Sequence, residues 1–196
     1  MPVTAEAQPM YRKTLRHFNV PGEAHFVTFS TYRRQPFLTN DLYRAWLAES
    51  VRTACAKDGW FLWAYVFMPE HVHLLVFPRQ TSYSVAEFLR SVKLPFARRL
   101  VASLLEKHAP LLVKLTVPAR PGHGVYRVWQ AGAGYDKNLW SWDWICAKAR
   151  YCHRNPVTRR LVRSPEKWRW SSFRWLELGV RKNEPLEIDD WVEVGE

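Results

Sequence analysis

The chain has 196 residues, 47% hydrophobic and 15% aromatic, with 29 Lys and Arg against 18 Asp and Glu for a formal charge of +11. So much apolar surface excludes an intrinsically disordered chain, because its burial offsets the entropy of ordering, and the length suits one domain. The basic excess points to a polyanion partner, and three cysteines with no C-x-x-C pair exclude a disulfide framework and a cysteine zinc site.

Met1 to Lys13 holds no apolar core of signal-peptide length, and the run Trp60 to Pro69 is too short to cross a bilayer, so a reducing cytoplasm is the expected setting. Residues 1–22, with Pro2, Pro9, Pro21 and Gly22, read as an arm leading into a domain at 23–182. Ala24 to Tyr32 alternates aromatic and β-branched residues and predicts the first strand. Thr39 or Asn40 can cap a helix to about Lys57, with Tyr43, Trp46, Leu47, Val51 and Ala54 on one face and Gly59 as its stop. Trp60 to Phe67 and His71 to Phe77, separated by the turn Met68-Pro69-Glu70, predict adjacent antiparallel strands.

Ser84 and Glu87 have capping-box spacing ahead of a second long helix in which Pro95 marks a candidate kink. Leu111 to Val117 and Tyr126 to Gln130 are predicted as short strands, with Pro118, Pro121, Gly122 and Gly124 turning the chain between them. A third helix starts at Ser141, carries Trp142, Ile145, Cys146, Ala149 and Cys152 at helical spacing, and ends at Pro156. This order predicts an α+β fold, a ferredoxin-like sandwich whose antiparallel sheet has helices packed mainly on one face.

Charge is uneven along the chain. Arg150 to Lys182 holds ten basic residues against Glu166 and Glu177, interleaved with Trp168, Trp170, Phe173 and Trp175, whereas residues 183–196 form an acidic tail. Cations for phosphates and aromatic rings for unpaired bases belong together in single-strand recognition. A solvated basic face over buried tryptophans explains the same pattern without a ligand.

Side chains two apart share a face of a strand, so His71 and His73 offer two imidazoles to one metal ion, although isolated H-x-H pairs are commonly incidental. Four apart on a helix, Tyr151 and Asn155 project together, roughly 100° from the apolar stripe. Taken alone, they read as a half-buried amphipathic tyrosine and an Asn cap before Pro156.

The two motifs occur together as FMPEHVHLLVFP at Phe67 to Pro78 and YCHRNPVTRRLVRSPEKWRWSSF at Tyr151 to Phe173. This pairing resembles the HUH single-tyrosine transposases, in particular the REP-associated tyrosine transposase branch. Similarity begins near His17, continues in HFVTFSTYRRQPFL at His25 to Leu38, and returns in VWQAGAGYDKNLW at Val128 to Trp140.

The resemblance implies that Tyr151 is a nucleophile attacking a DNA phosphorus to leave a 5′-phosphotyrosine and a free 3′-hydroxyl. It also implies that His71, His73 and Asn155 hold a divalent metal, Mg²⁺ or, on the chemistry of nitrogen ligands, Mn²⁺. Cys152 departs from the family, where Ile is usual. Lys148 and Arg150 are candidates to assist the tyrosine, and together with Arg154, Arg159, Arg160 and Arg163 they form the expected nucleic-acid contacts. The implied partner is hairpin-bearing single-stranded DNA on the bacterial nucleoid, with the protein a monomer or homodimer. Two alternatives remain at this level: a non-catalytic single-strand-binding module, and a metal-dependent hydrolase using water in place of Tyr151.

Overall fold

Two apolar runs joined by a three-residue turn can pair only antiparallel, and they set the sheet. In the computed structural model, which describes residues 17–118, 125–132 and 134–191, strands β2 (Trp60–Phe67) and β3 (His71–Pro78) are joined at Met68, whose N–H donates to His71 O at 2.9 Å. On its other side β3 pairs with β1 (Ala24–Ser30), placing Thr28 opposite His73 and Ser30 opposite His71. β1 in turn pairs with β4 (Tyr135–Leu139), giving the order β2-β3-β1-β4, antiparallel throughout. Helix α1 (Asp41–Asp58) connects β1 to β2, and α2 (Val85–Glu106) lies between β3 and β4, so the core is the split β-α-β arrangement of a ferredoxin-like α+β fold.

Alternation along the strands gives the sheet two apolar faces. Val27, Phe29, Leu74 and Val76 face α1 and α2, packing with Leu47, Val51, Phe88, Val92 and Phe96. Phe26, Val66 and Leu75 face the other way, against Ile145, Ala149 and Cys152 of α4 (Trp142–Thr158). The helices thus gather mainly on one face, and α4 is the exception. A register shift between Leu62 and Ala64 lets both Trp63 and Ala64 face α4. Trp63 is fully buried there, so truncating it to Ala costs about 3–5 kcal/mol.

The predicted caps are in place. Asn40 Oδ1 accepts from Leu42 N at 2.9 Å, Ser84 Oγ from Glu87 N at 3.2 Å, and Gly59 ends α1 in the left-handed region at φ 71°. Pro95 lies inside α2 and Pro156 inside α4, so neither stops its helix. Buried Phe88, Val92, Phe96 and Leu100 outweigh the one backbone hydrogen bond that Pro95 removes.

Leu111–Leu115 is a short helix, α3, rather than a strand, with Leu115 buried at its end. From Tyr126 to Gln130 there are only single bridges, Thr116 to Tyr126 and Thr31 to Trp129. Trp129 instead inserts its ring edge-on against Phe29 and donates from Nε1 to Lys93 O at 3.0 Å. The expected turn residues Pro121, Gly122 and Gly124 lie outside the described residues, as does the arm before His17.

The acidic segment expected as a tail is part of the fold through Trp191. Leu186 and Ile188 are buried with the α1/α2 core, and Asp189 exchanges hydrogen bonds with Leu62, from its N–H to Leu62 O and from Leu62 N–H to its Oδ2, both 2.8 Å. Trp170 O accepts from Phe67 N at 2.8 Å, and Ser172 N–H donates to Tyr65 O at 3.1 Å ahead of the last helix, α5 (Phe173–Leu178). Residues 170–189 thereby cover the β2 edge, which would otherwise offer unpaired backbone groups to another chain. Among the described residues no helix is long and apolar enough to cross a membrane.

Candidate active site

The period of two along β3 turns Val72 and Leu74 toward α1 and α2, and His71 and His73 toward α4. There the two imidazoles meet at right angles, ring centroids 4.8 Å apart, on the floor of a cleft of about 450 Å³. Thr28 and Ser30 of β1 continue the floor, Tyr151, Arg154, Asn155 and Thr158 of α4 form one wall, and Arg34 and Arg159 close the rim.

Each histidine is fixed through its Nδ1. His73 Nδ1 lies 2.7 Å from Thr28 Oγ1, and His71 Nδ1 lies 3.2 Å from Glu70 Oε1. With protons on Nδ1, both rings keep an Nε2 lone pair. Asn155 Nδ2 is 3.1 Å from His73 Nε2, so that lone pair is satisfied by the side chain opposite. Burial, reinforced by the neighbouring His71 and Lys148, takes His73 down to about 3. His71 is also lowered, by burial against the opposing pull of Glu70. Both rings are therefore neutral at physiological pH.

This donor set suits a divalent ion. Turning the Asn155 amide presents its oxygen where the nitrogen now lies, so two imidazole nitrogens and one amide oxygen converge and leave further positions open. No group of three or more His, Cys, Asp and Glu side chains forms a metal site among the described residues.

Tyr151 stands over this floor. Its ring centroid is 5.3 Å from that of His73 and 5.9 Å from that of Phe26, both edge-on, and the residue is 50% exposed. Lys148 Nζ lies 5.5 Å from the Tyr151 ring centroid and 5.0 Å from that of Phe26. One turn on, Asn155 is buried at the His73 side. The fold therefore brings His71, His73, Tyr151 and Asn155 together, with Arg154 and Arg159 beside them, whereas Arg150, Arg160 and Arg163 do not line the cleft.

Several contributors carry no motif. Thr28 is visible only once β1 is paired in register with β3. Glu70, in the turn before His71, accepts from Arg159 Nη2 at 2.8 Å as well as from His71, and has Arg34 Nη1 3.9 Å away. Arg34 reaches the rim after a tight turn in which Arg33 and Arg34 both take left-handed backbone, φ 51° and 52°. Side chains adopt that conformation at a cost of about 1–2 kcal/mol, and no local sequence cue announces it.

Residues 21–114 match the family model of the IS200-like transposases. Over this stretch the chain is similar to that family. The matched stretch runs from β1 to α3 and includes both His71 and His73, while Tyr151 and Asn155 lie beyond it. Over 93% of both chains this protein superposes, at 17% identity and TM-score 0.66, on a structure of a REP-associated tyrosine transposase bound to a REP hairpin. A crystal structure of a candidate transposase from Deinococcus radiodurans R1 matches at 21% identity and TM-score 0.41, covering 73% of this chain and 96% of that one. No curated protein matches the sequence.

Proposed function

We propose that this protein is a transposase of the REP-associated tyrosine branch that cleaves and rejoins hairpin-bearing single-stranded DNA, with Tyr151 as the nucleophile. One observation carries the proposal: a half-exposed tyrosine faces a neutral histidine pair across a cleft lined by Arg154 and Arg159. In the step envisaged, Tyr151 Oη bonds to phosphorus as the P–O3′ bond breaks. The electron pair leaves with O3′, which takes up a proton to become a 3′-hydroxyl, while the phenol proton passes to solvent. One phosphodiester is exchanged for another, so attack by a 3′-hydroxyl reverses the step without ATP.

Arg154 and Arg159 hold the phosphate oxygens, and Lys148 adds positive charge beside the Tyr151 ring. Thr28 and Glu70 keep the two imidazoles oriented with Nε2 toward the cleft. A divalent ion, Mg²⁺ or Mn²⁺, held by His71, His73 and Asn155 would polarise the scissile phosphate and neutralise charge developing on its oxygens. Arg150, Arg160 and Arg163 contact the DNA backbone outside the cleft. Such a substrate puts the protein on DNA in the cytoplasm.

The test is a denaturing gel of labelled hairpin DNA after incubation with Mg²⁺ or Mn²⁺. Wild-type protein is expected to retain label carried on the 3′ side of the cut, the fragment whose 5′ phosphate it holds, and Tyr151→Phe to retain none while still folding and binding the hairpin. Cleavage by wild type without any adduct would replace this mechanism with hydrolysis by water.

A further inference from the structure

Beside the cleft, α4 carries a row of side chains that leads away from Tyr151. Trp144, Lys148 and Tyr151 follow one another at four- and three-residue spacing and so share a face of the helix. Tyr135 and Lys137, two apart on β4, share a face of the strand. Contacts tie the two rows together. Lys137 Nζ is 4.0 Å from the Trp144 ring centroid, and Tyr135 and Tyr151 both pack edge-on against Phe26, at 6.4 and 5.9 Å.

Trp144, Tyr135 and Tyr151 are 44%, 45% and 50% exposed, although such rings gain most from burial. Neither Lys137 nor Lys148 has a carboxylate partner among the described residues. Asp136, between the two β4 residues, is engaged on the opposite face by His17 and His25 at 2.7 and 3.0 Å. The strip therefore offers open aromatic faces and unneutralised positive charge side by side, ending at Tyr151. A protein partner of matching shape would be acidic and apolar at once, whereas single-stranded DNA supplies both halves, flat unpaired bases and regularly spaced phosphates. A duplex keeps its base faces stacked and cannot use the rings.

We propose that the strip formed by Tyr135, Lys137, Trp144 and Lys148 is the track that holds the single strand next to the scissile phosphate, with bases on the two rings and phosphates at the two lysines. The proposal rests on the assignment of the chain as an enzyme acting on single-stranded DNA. It makes Trp144 and Lys137 binding residues that touch none of the reacting atoms.

The experiment is fluorescence anisotropy of a labelled oligothymidylate titrated with wild type, Trp144→Ala and Lys137→Glu, together with tryptophan quenching of wild type and Trp144→Phe. Trp144→Ala is expected to weaken binding about ten-fold. Lys137→Glu should weaken it and flatten its salt dependence. Trp144→Phe should lose part of the quench while the far-UV spectrum and melting temperature stay those of wild type. Wild-type affinity and quench in every variant would overturn the track and leave the cleavage mechanism standing. No oligothymidylate binding by wild type would overturn both.

Discussion

Arg159 Nη2 and His71 Nδ1 converge on one oxygen, Glu70 Oε1, at 2.8 and 3.2 Å. A buried carboxylate thus joins a cation at the cleft rim to an imidazole on its floor. Removing it frees both: the imidazole loses the acceptor that sets its tautomer, and the guanidinium loses its anchor. Glu70→Ala is expected to weaken Mn²⁺ binding about 10- to 100-fold by calorimetry. Glu70→Gln keeps an acceptor oxygen but no charge, and its affinity should fall between Glu70→Ala and wild type. Equal Mn²⁺ affinity in all three would mean that Glu70 does not orient His71.

A histidine outside the cleft also contributes to acid sensitivity. His153, buried between α4 and α5, donates or accepts through Nε2 at Ser172 Oγ, 3.0 Å away, and burial takes it down to about 4 from an ordinary value near 6.5. Because the folded state resists protonation, the unfolded chain gains protons first. The contribution is intact above pH 6.5, is lost as pH falls from 6.5 toward 4, and changes little below that. A shift of this size corresponds to roughly 3 kcal/mol. His153→Gln removes the titrating ring, so its urea midpoint should fall less between pH 7 and pH 4.5 than that of wild type. Parallel pH profiles would refute the assignment.

Most of the scaffold is legible in the residues because it rests on local rules. Asn40, Ser84 and Gly59 act as caps where their side-chain oxygens or lack of Cβ require it, and the double apolar run around Met68-Pro69-Glu70 admits little but a hairpin. What stays hidden depends on long-range pairing. YDKNL at β4 has no apolar alternation, since it is an edge strand held by register with β1 and by Asp136 against His17 and His25. Leu111–Leu115 is apolar enough for a strand, yet among the described residues its surroundings offer only the single bridge from Thr116 to Tyr126, and it is helical instead. The same division runs through the site. His71, His73, Tyr151 and Asn155 stand in motifs, whereas Thr28, Arg34 and Glu70 enter through strand register, an uncommon turn and burial.

Gly134 sets how closely β4 approaches β1. At φ 80° a Cβ there would lie 2.2 Å from Thr28 O, inside any tolerable contact with backbone. Gly134→Ala must therefore push the start of β4 away from β1 and is expected to cost about 1–3 kcal/mol in urea unfolding. Thr28 is the residue that holds His73 Nδ1, so Mn²⁺ affinity should drop as well. A variant as stable as wild type would show that the loop before β4 can shift without cost.

The three proposed metal donors differ in what their loss leaves behind, and this predicts a graded series. His73 is buried between Thr28 and Asn155, so His73→Ala removes a donor and strands two polar partners. It should abolish Mn²⁺ binding and adduct formation and lower stability by about 1–3 kcal/mol. His71→Ala should abolish the same two activities with a smaller loss of stability, because Glu70 keeps Arg159 as a partner. Asn155→Ala should be mildest in metal binding, since water can supply an oxygen in place of the amide, leaving reduced but measurable adduct. Calorimetry with Mn²⁺, thermal melts and the denaturing gel separate the three effects. Cleavage that persists in His71→Ala or His73→Ala, or that resists EDTA in wild type, would show that this donor set does not carry the reaction.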